Sequence, residues 1–107
     1  MVVKQYDVYW IALDPTQGSE IAKTRPCVVV SPDDLNQSLR TVIIIPITST
    51  TKSYPWRVEC TVKNKSGWIA TDQIRVVDKT RLGAAIGSLS PKEIKQLKQI
   101  LQQMLVD

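Results

Sequence analysis

The chain has 107 residues, a net charge of +4 and an ordinary balance of 43% hydrophobic and 22% charged residues, which predicts one globular domain over residues 1–107 and excludes wholesale disorder. It contains no histidine, so the usual proton shuttle and the commonest metal ligand are both excluded. No apolar run approaches the roughly 20 residues that span a bilayer and no signal-peptide pattern opens the chain, so a cytoplasmic protein without membrane attachment is expected.

Tyr6 to Leu13 is aromatic and β-branched, and apolar on both faces from Val8 onward, which predicts a strand covered on both sides. Asp14-Pro15 stops it. Residues 14–24, with a proline, a glycine, hydroxyls and mixed charge, predict an exposed loop of functional length. Pro26 to Ser31 is the second predicted strand, its proline tolerable at the opening position. In Ser31-Pro32-Asp33-Asp34 the serine is placed to cap, the proline suits the first turn and the aspartates favour the positive end of the dipole, so a short helix is expected over Asp33 to Ser38. Thr41 to Thr48 contains Val42-Ile43-Ile44-Ile45-Pro46-Ile47, too apolar to face water on either side. It reads as a central strand ending in the hydroxyls of Thr48, Ser49, Thr50 and Thr51.

Arg57 to Val62 alternates, with Val58, Cys60 and Val62 facing in and Arg57, Glu59 and Thr61 facing out. Lys63 to Gly67 is expected to turn and Trp68 to Asp72 to return as the second arm of a hairpin. Gln73 to Lys79 is mixed, and Arg81 to Leu89 predicts a bend followed by a short edge strand. Ser90-Pro91-Lys92-Glu93 fits a capping box, with Ile94, Leu97, Ile100, Leu101, Met104 and Leu105 following at helical spacing. This is one amphipathic helix, laid on the sheet or on a partner copy. The fold expected is mainly β with helices (α+β), a small, strongly bent, SH3-like antiparallel barrel with a C-terminal helix. Cys27 and Cys60 lie inside apolar runs without CxxC spacing and read as buried thiols.

Few residues are equipped for chemistry. Arg25 precedes Pro26, which biases it toward extended backbone and so aims a permanently charged guanidinium at the mouth of a buried strand, beside Gly18-Ser19-Glu20. Such a group suits a phosphate, and the basic balance of the chain favours a polyanionic partner. Thr48, ending the most apolar strand, offers a hydroxyl that both donates and accepts. Glu20 and Asp72 are the remaining candidates for proton transfer. In Ser53-Tyr54-Pro55-Trp56-Arg57, the aromatic rings near Lys52 and Arg57 suit stacking on unpaired bases while cations hold the backbone. Each of these residues also has a plain structural reading, as surface charge, strand terminus or packed ring.

Four motifs stand in one order: Asp14-Pro15-Thr16-Gln17-Gly18-Ser19-Glu20, Thr24-Arg25-Pro26-Cys27-Val28-Val29-Val30-Ser31-Pro32, Ile45-Pro46-Ile47-Thr48-Ser49 and Asp72-Gln73-Ile74-Arg75. With Arg81-Leu82-Gly83 and the closing helix, they make the chain resemble the MazF/PemK family of type II toxin–antitoxin toxins over nearly its whole length. The resemblance implies a homodimeric barrel endoribonuclease that cuts single-stranded RNA, chiefly messenger RNA, at a short sequence and without metal or other cofactor. It also implies a cognate antitoxin, acidic and partly disordered. It maps the catalytic pair onto Arg25 and Thr48 and a further contributor onto Glu20. RNA contacts are expected from Ser19, Lys23, Thr24, Ser49, Thr50, Lys52, Trp56, Arg57, Asp72 and Gln73. A strand arginine used by the PemK-like branch is Ala70 here, which points to the MazF-like set. Attack by the RNA's own 2′-hydroxyl would leave a 2′,3′-cyclic phosphate and a 5′-hydroxyl. Two other readings are a noncatalytic nucleic-acid-binding barrel and a gyrase-binding toxin of the CcdB kind. The second needs an aromatic residue near the C-terminus, where this chain has Gln103-Met104-Leu105-Val106-Asp107.

Overall fold

The computed structural model describes residues 2–49 and 54–106. In chain order the elements are β1 (Asp7–Ala12), β2 (Thr24–Val29), the short helix α1 (Asp33–Ser38), β3 (Thr41–Thr48), β4 (Val58–Val62), β5 (Lys65–Ile69), β6 (Arg75–Asp78), β7 (Leu82–Ser88) and the helix α2 (Pro91–Leu101). The strands form one antiparallel sheet in the order β4-β5-β3-β2-β1-β7, with β6 added beside β3. One edge of β3 is therefore shared. Thr41 to Ile44 pair with β6, while Ile47 and Thr48 pair with Ile69 and Trp68 of β5.

The run of apolar residues in β3 follows from this position. Val42 and Ile44 enter one core with Tyr9, Ile11, Leu13, Cys27, Val29 and Val77. Ile45 and Ile47 enter a second core on the other face, with Val8, Val28, Val58, Cys60, Ile69 and Leu97. A strand buried on both faces cannot alternate with polar residues. The sheet curls until its outer strands approach, and a Cβ added at Gly87 of β7 would lie 3.3 Å from Val62 Cγ1 of β4. No ladder joins these two strands among the described residues, so the SH3-like barrel takes the form of a curled half-barrel.

The helix α1 and strand β3 occupy the predicted spans, and α2 starts as predicted. Ser90 Oγ accepts from the Glu93 N–H at 3.2 Å and Glu93 Oε1 accepts from the Ser90 N–H at 2.8 Å. Leu97 is fully buried, with Ile94, Ile100 and Leu101 packed beside it. Met104 and Leu105, expected on the same packed face, are exposed. The last turn, Gln102–Val106, widens into a π-turn and rotates the stripe off the sheet.

Other expectations need correction. Ser31 does not cap α1. Its hydroxyl donates to Asn36 Oδ1 at 2.5 Å and accepts from the Ile43 N–H at 3.0 Å, and Pro32 holds the cap position. The second strand begins earlier, at Thr24, and so includes Arg25. The hairpin turn is only Lys63-Asn64, both at positive φ (49° and 64°), and Gly67 lies inside β5. Asp72 is not in the returning strand; it sits in a 3₁₀ turn, Thr71–Gln73. The mixed segment after it contains β6, and β7 is a seven-residue strand rather than a short one. Both cysteines are free and buried. Burial pushes each thiol up to about 12, with Glu93 and Glu59 adding to the rise at Cys60. Among the described residues, no helix is long and apolar enough to cross a membrane.

Candidate functional site

A cleft of about 610 Å³ opens where β2, the end of β3, the β4–β5 hairpin and β7 converge. Thr24, Arg25 and Pro26 enter it from β2, Ile47, Thr48 and Ser49 from the end of β3, and Lys63, Lys65 and Gly67 from the hairpin. Arg25 is half-buried, and its Nε–H donates to the Ala22 carbonyl at 3.2 Å, which ties the guanidinium to the loop that precedes it. Thr48 is 9% exposed and paired across the sheet with Trp68. The hairpin comes this close to Thr48 because residue 67 has no side chain. A Cβ there would stand 2.8 Å from Ile47 Cγ2 and 3.1 Å from the Thr48 carbonyl oxygen.

The electrostatics of the cleft are one-sided. Among the described residues its charged lining residues are Arg25, Lys63 and Lys65, and no carboxylate lines it. Much of the remaining lining is apolar, with Pro26, Ala84, Ala85, Ile86 and Trp10. Trp10 is 41% exposed, unusual for an indole in the middle of a sheet. Gly83 allows β7 to pass beside it, since a Cβ there would lie 3.1 Å from the Trp10 carbonyl oxygen. A cation-lined groove with an aromatic wall matches the two faces of a single-stranded polynucleotide, phosphate and base.

Of the residues singled out in the sequence, Thr24, Arg25, Thr48 and Ser49 meet in this cleft. Ser19, Glu20 and Lys23 belong to the preceding loop and are exposed outside its lining. Glu20 Oε1 accepts from the Gln17 N–H at 2.6 Å, and its own N–H donates to the Gln17 carbonyl at 3.1 Å. Gln73 anchors this loop, its Oε1 accepting from the Ile21 N–H at 3.2 Å. Trp56, Arg57 and Asp72 form a second cluster. Arg57 donates to both Asp72 carboxylate oxygens, at 3.1 and 3.3 Å, and its guanidinium carbon lies 5.0 Å from the centre of the Tyr54 ring. Tyr54 and Trp56 stack with centroids 5.0 Å apart and planes 12° from parallel. The Thr71 hydroxyl donates to the Trp56 carbonyl and joins this platform to the turn that carries Asp72. Burial opposes ionisation of Asp72, but hydrogen bonds from Arg57, from its own backbone and from Gln73 outweigh it and hold the carboxyl below its ordinary range. Thr50 and Lys52 lie outside the described residues.

Sequence reasoning missed Trp10, Lys63 and Lys65 at the cleft. It also missed a clamp at the base of the loop. Arg81 Nη1 donates to the carbonyls of Ala12 and Asp14 at 3.1 and 2.6 Å, and Arg75 Nη1 to that of Leu13 at 3.2 Å. These contacts span more than sixty positions, so local pattern cannot reveal them. The two lysines did leave a signal, a basic hairpin tip next to the strand that pairs with Thr48. Among the described residues, no group of three or more Cys, Asp or Glu side chains is placed to share a metal ion.

A family model described as a PemK-like, MazF-like toxin of type II toxin–antitoxin systems matches residues 4–105. Among curated proteins, the endoribonuclease toxin MazF of Escherichia coli (strain K12) is 33% identical over 93 residues, covering 86% of this chain and 84% of that protein. Among solved structures, MazF of Deinococcus radiodurans superimposes with a TM-score of 0.88 at 24% identity, covering 98% of this chain and 97% of that one. An endoribonuclease from a mycobacterial species, solved with its cognate antitoxin, gives a TM-score of 0.82 at 21% identity, covering 96% and 94%. Both share the curled half-barrel and closing helix.

Proposed function

The chain belongs to the PemK-like, MazF-like toxins of type II toxin–antitoxin systems, and from this premise we propose that it is an endoribonuclease that cuts single-stranded RNA in the Arg25–Thr48 cleft. The observation that carries the reading is the convergence of Arg25 and Thr48 in one groove whose charged lining residues, among those described, are all cations. The E. coli relative is named an endoribonuclease toxin, which supports it.

In this reading the scissile phosphate lies between Arg25 and Thr48. The RNA's own 2′-hydroxyl attacks the adjacent phosphorus, the bond to the 5′-oxygen breaks as that oxygen takes a proton from solvent, and the products carry a 2′,3′-cyclic phosphate and a 5′-hydroxyl. Negative charge builds on the nonbridging oxygens as the 2′-oxygen closes on phosphorus. The Arg25 guanidinium stabilises that charge, and the Thr48 hydroxyl donates to one of the oxygens and fixes the phosphate for in-line attack. Arginine stays protonated and is a poor base, so the 2′-hydroxyl proton goes to a carboxylate. Glu20 fills that role when its loop folds over bound RNA. The cations supply the charge stabilisation that nucleases of other designs take from a metal ion, so cutting proceeds without one. Ser19, Lys23, Thr24, Ser49, Thr50, Lys52, Trp56 and Gln73 contact the RNA to either side, and Arg57 and Asp72 serve it indirectly, as the ion pair beside the Tyr54–Trp56 platform.

The toxin acts in the cytoplasm as a homodimer and is held in check by a cognate antitoxin, an acidic and partly disordered chain suited to a cation-lined groove. The mycobacterial structure, solved as a complex with an antitoxin, supports this part.

The test compares wild type, Arg25→Ala and Thr48→Ala on a long unstructured RNA in excess chelator, with the fragment ends mapped. Discrete cuts ending in cyclic phosphate, made by wild type alone, are expected. Intact RNA from all three folded proteins would overturn the reading, and binding without cutting would favour a noncatalytic barrel.

A further inference from the structure

The proposed reaction uses one of the three cations that line the cleft among the described residues. Lys63 and Lys65 are exposed at the hairpin tip and line the same cavity as Arg25 and Thr48. Their positions are built into the backbone. Lys63 and Asn64 take the left-handed conformation that a two-residue hairpin turn requires, and Val62 pairs with Lys65 to close it. The arm that follows is fixed by the Thr48–Trp68 pairing and by the close approach at Gly67. The tip is therefore held in register with the catalytic end of β3 rather than waving in solvent. Neither lysine takes part in the Arg57–Asp72 ion pair, the one ion pair among the described residues. Three like charges on one cleft repel each other until a polyanion supplies the counter-charge. Lysine, a compact charge on a flexible stem, suits backbone phosphates better than base edges.

Resting on the endoribonuclease reading, we infer that Lys63 and Lys65 form a phosphate subsite that holds two backbone phosphates of the RNA beside the one gripped by Arg25 and Thr48. The aromatic and aliphatic part of the lining takes the bases, so the strand lies with its backbone toward the lysines. The lysines are positioning residues: they touch the substrate backbone away from the reacting phosphorus and set its register. An acidic peptide is the other polyanion such a tip could take. RNA is favoured because the lysines share a single cavity with Arg25 and Thr48.

The experiment measures binding of a mixed-sequence single-stranded RNA carrying 2′-O-methyl riboses, which cannot cleave, between about 50 and 200 mM salt. The test variant is the pair Lys63→Asn and Lys65→Gln, asparagine being chosen because it tolerates positive φ. Each phosphate neutralised on a single strand contributes about 0.7 to the slope of log affinity against log salt, so the slope should flatten by about 1.4 in the variant. Lys63→Arg with Lys65→Arg should restore it. Removing the same charge on the outer face of α2, with Lys95→Gln and Lys98→Gln, should leave the slope as in wild type. If the Lys63/Lys65 variant keeps the wild-type slope while wild type still cuts RNA in an Arg25-dependent way, the subsite is overturned and the nuclease reading stands. Weakened binding of an acidic peptide with an unchanged RNA slope would overturn it equally. A wild type that neither binds nor cuts RNA overturns both.

Discussion

Arg25 and Arg57 are both half-buried, and each adjoins a proline-bearing segment, yet the fold commits them differently. Arg57 is spent inside the protein: both Asp72 oxygens take its donors and the Tyr54 ring covers its face. Arg25 donates to a backbone carbonyl and, among the described residues, stands in a cleft with two lysines and no carboxylate. A guanidinium that already has a carboxylate shapes its surroundings, whereas one held among like charges must find its counter-charge in a ligand. On the proposed reading the same residue type is structural in one place and chemical in the other, and its partners decide which.

The largest expected effect tests this contrast directly. Arg25→Ala should slow RNA cleavage by about a hundredfold or more, the usual result of removing a preorganised donor to a developing oxyanion. Arg57→Ala should slow it by less than about tenfold and act mainly through binding. Single-turnover rates at saturating RNA separate the two, and equal losses would break the comparison. Arg25→Lys sharpens it, because a point charge without the planar fork should recover only part of the rate.

A smaller effect is expected at the glycine that brings the hairpin against Thr48. In Gly67→Ala the new Cβ would meet Ile47 Cγ2 at 2.8 Å and the Thr48 carbonyl at 3.1 Å, the latter backbone that cannot swing aside. Overpacking of this kind costs about 1–3 kcal/mol. Because the displaced residue is Thr48, cleavage should fall along with the urea unfolding midpoint. Gly87→Ala, which meets only a valine methyl at 3.3 Å, should cost less and leave cleavage near wild type.

What the sequence disclosed follows the range of the forces involved. β3 could be read because burial on both faces leaves an unbroken apolar run, and the start of α2 because its cap is local. Arg25 and Thr48 could be singled out because each lies at the end of a strand with a strong pattern. The hairpin was misread because Gly67 looks like a turn residue. Its real purpose is contact with Ile47 and Thr48 of β3, which no local pattern reveals, and the turn itself is made by Lys63 and Asn64 without glycine. The cationic character of the cleft was hidden for the same reason: it depends on how β4 and β5 register against Thr48. The loop clamp formed by Arg75 and Arg81 is likewise a long-range product of the fold.

The smallest effect concerns Asp72, the residue that makes Arg57 structural. Its carboxyl is held below the ordinary value of 3.8 in the folded protein, so it binds a proton less readily there than in the unfolded chain. The stabilisation is therefore present at pH values above the unfolded value and is lost as the pH falls through the folded one. The side chains are 35% exposed at Asp72 and 12% at Arg57, and solvent screening keeps the pair within the range of about 0–1 kcal/mol typical of surface ion pairs. Asp72→Asn should accordingly lower the urea midpoint slightly at neutral pH, with the gap to wild type closing in strong acid and narrowing at about 1 M salt. The same substitution removes the counter-charge of Arg57 and turns it into a cation like Arg25. If partners decide what an arginine does, RNA affinity of Asp72→Asn should rise by about twofold, with a slightly steeper dependence on salt. A loss of affinity instead would mean that Asp72 itself touches the RNA, and the ion pair would then belong to the substrate surface rather than to the scaffold.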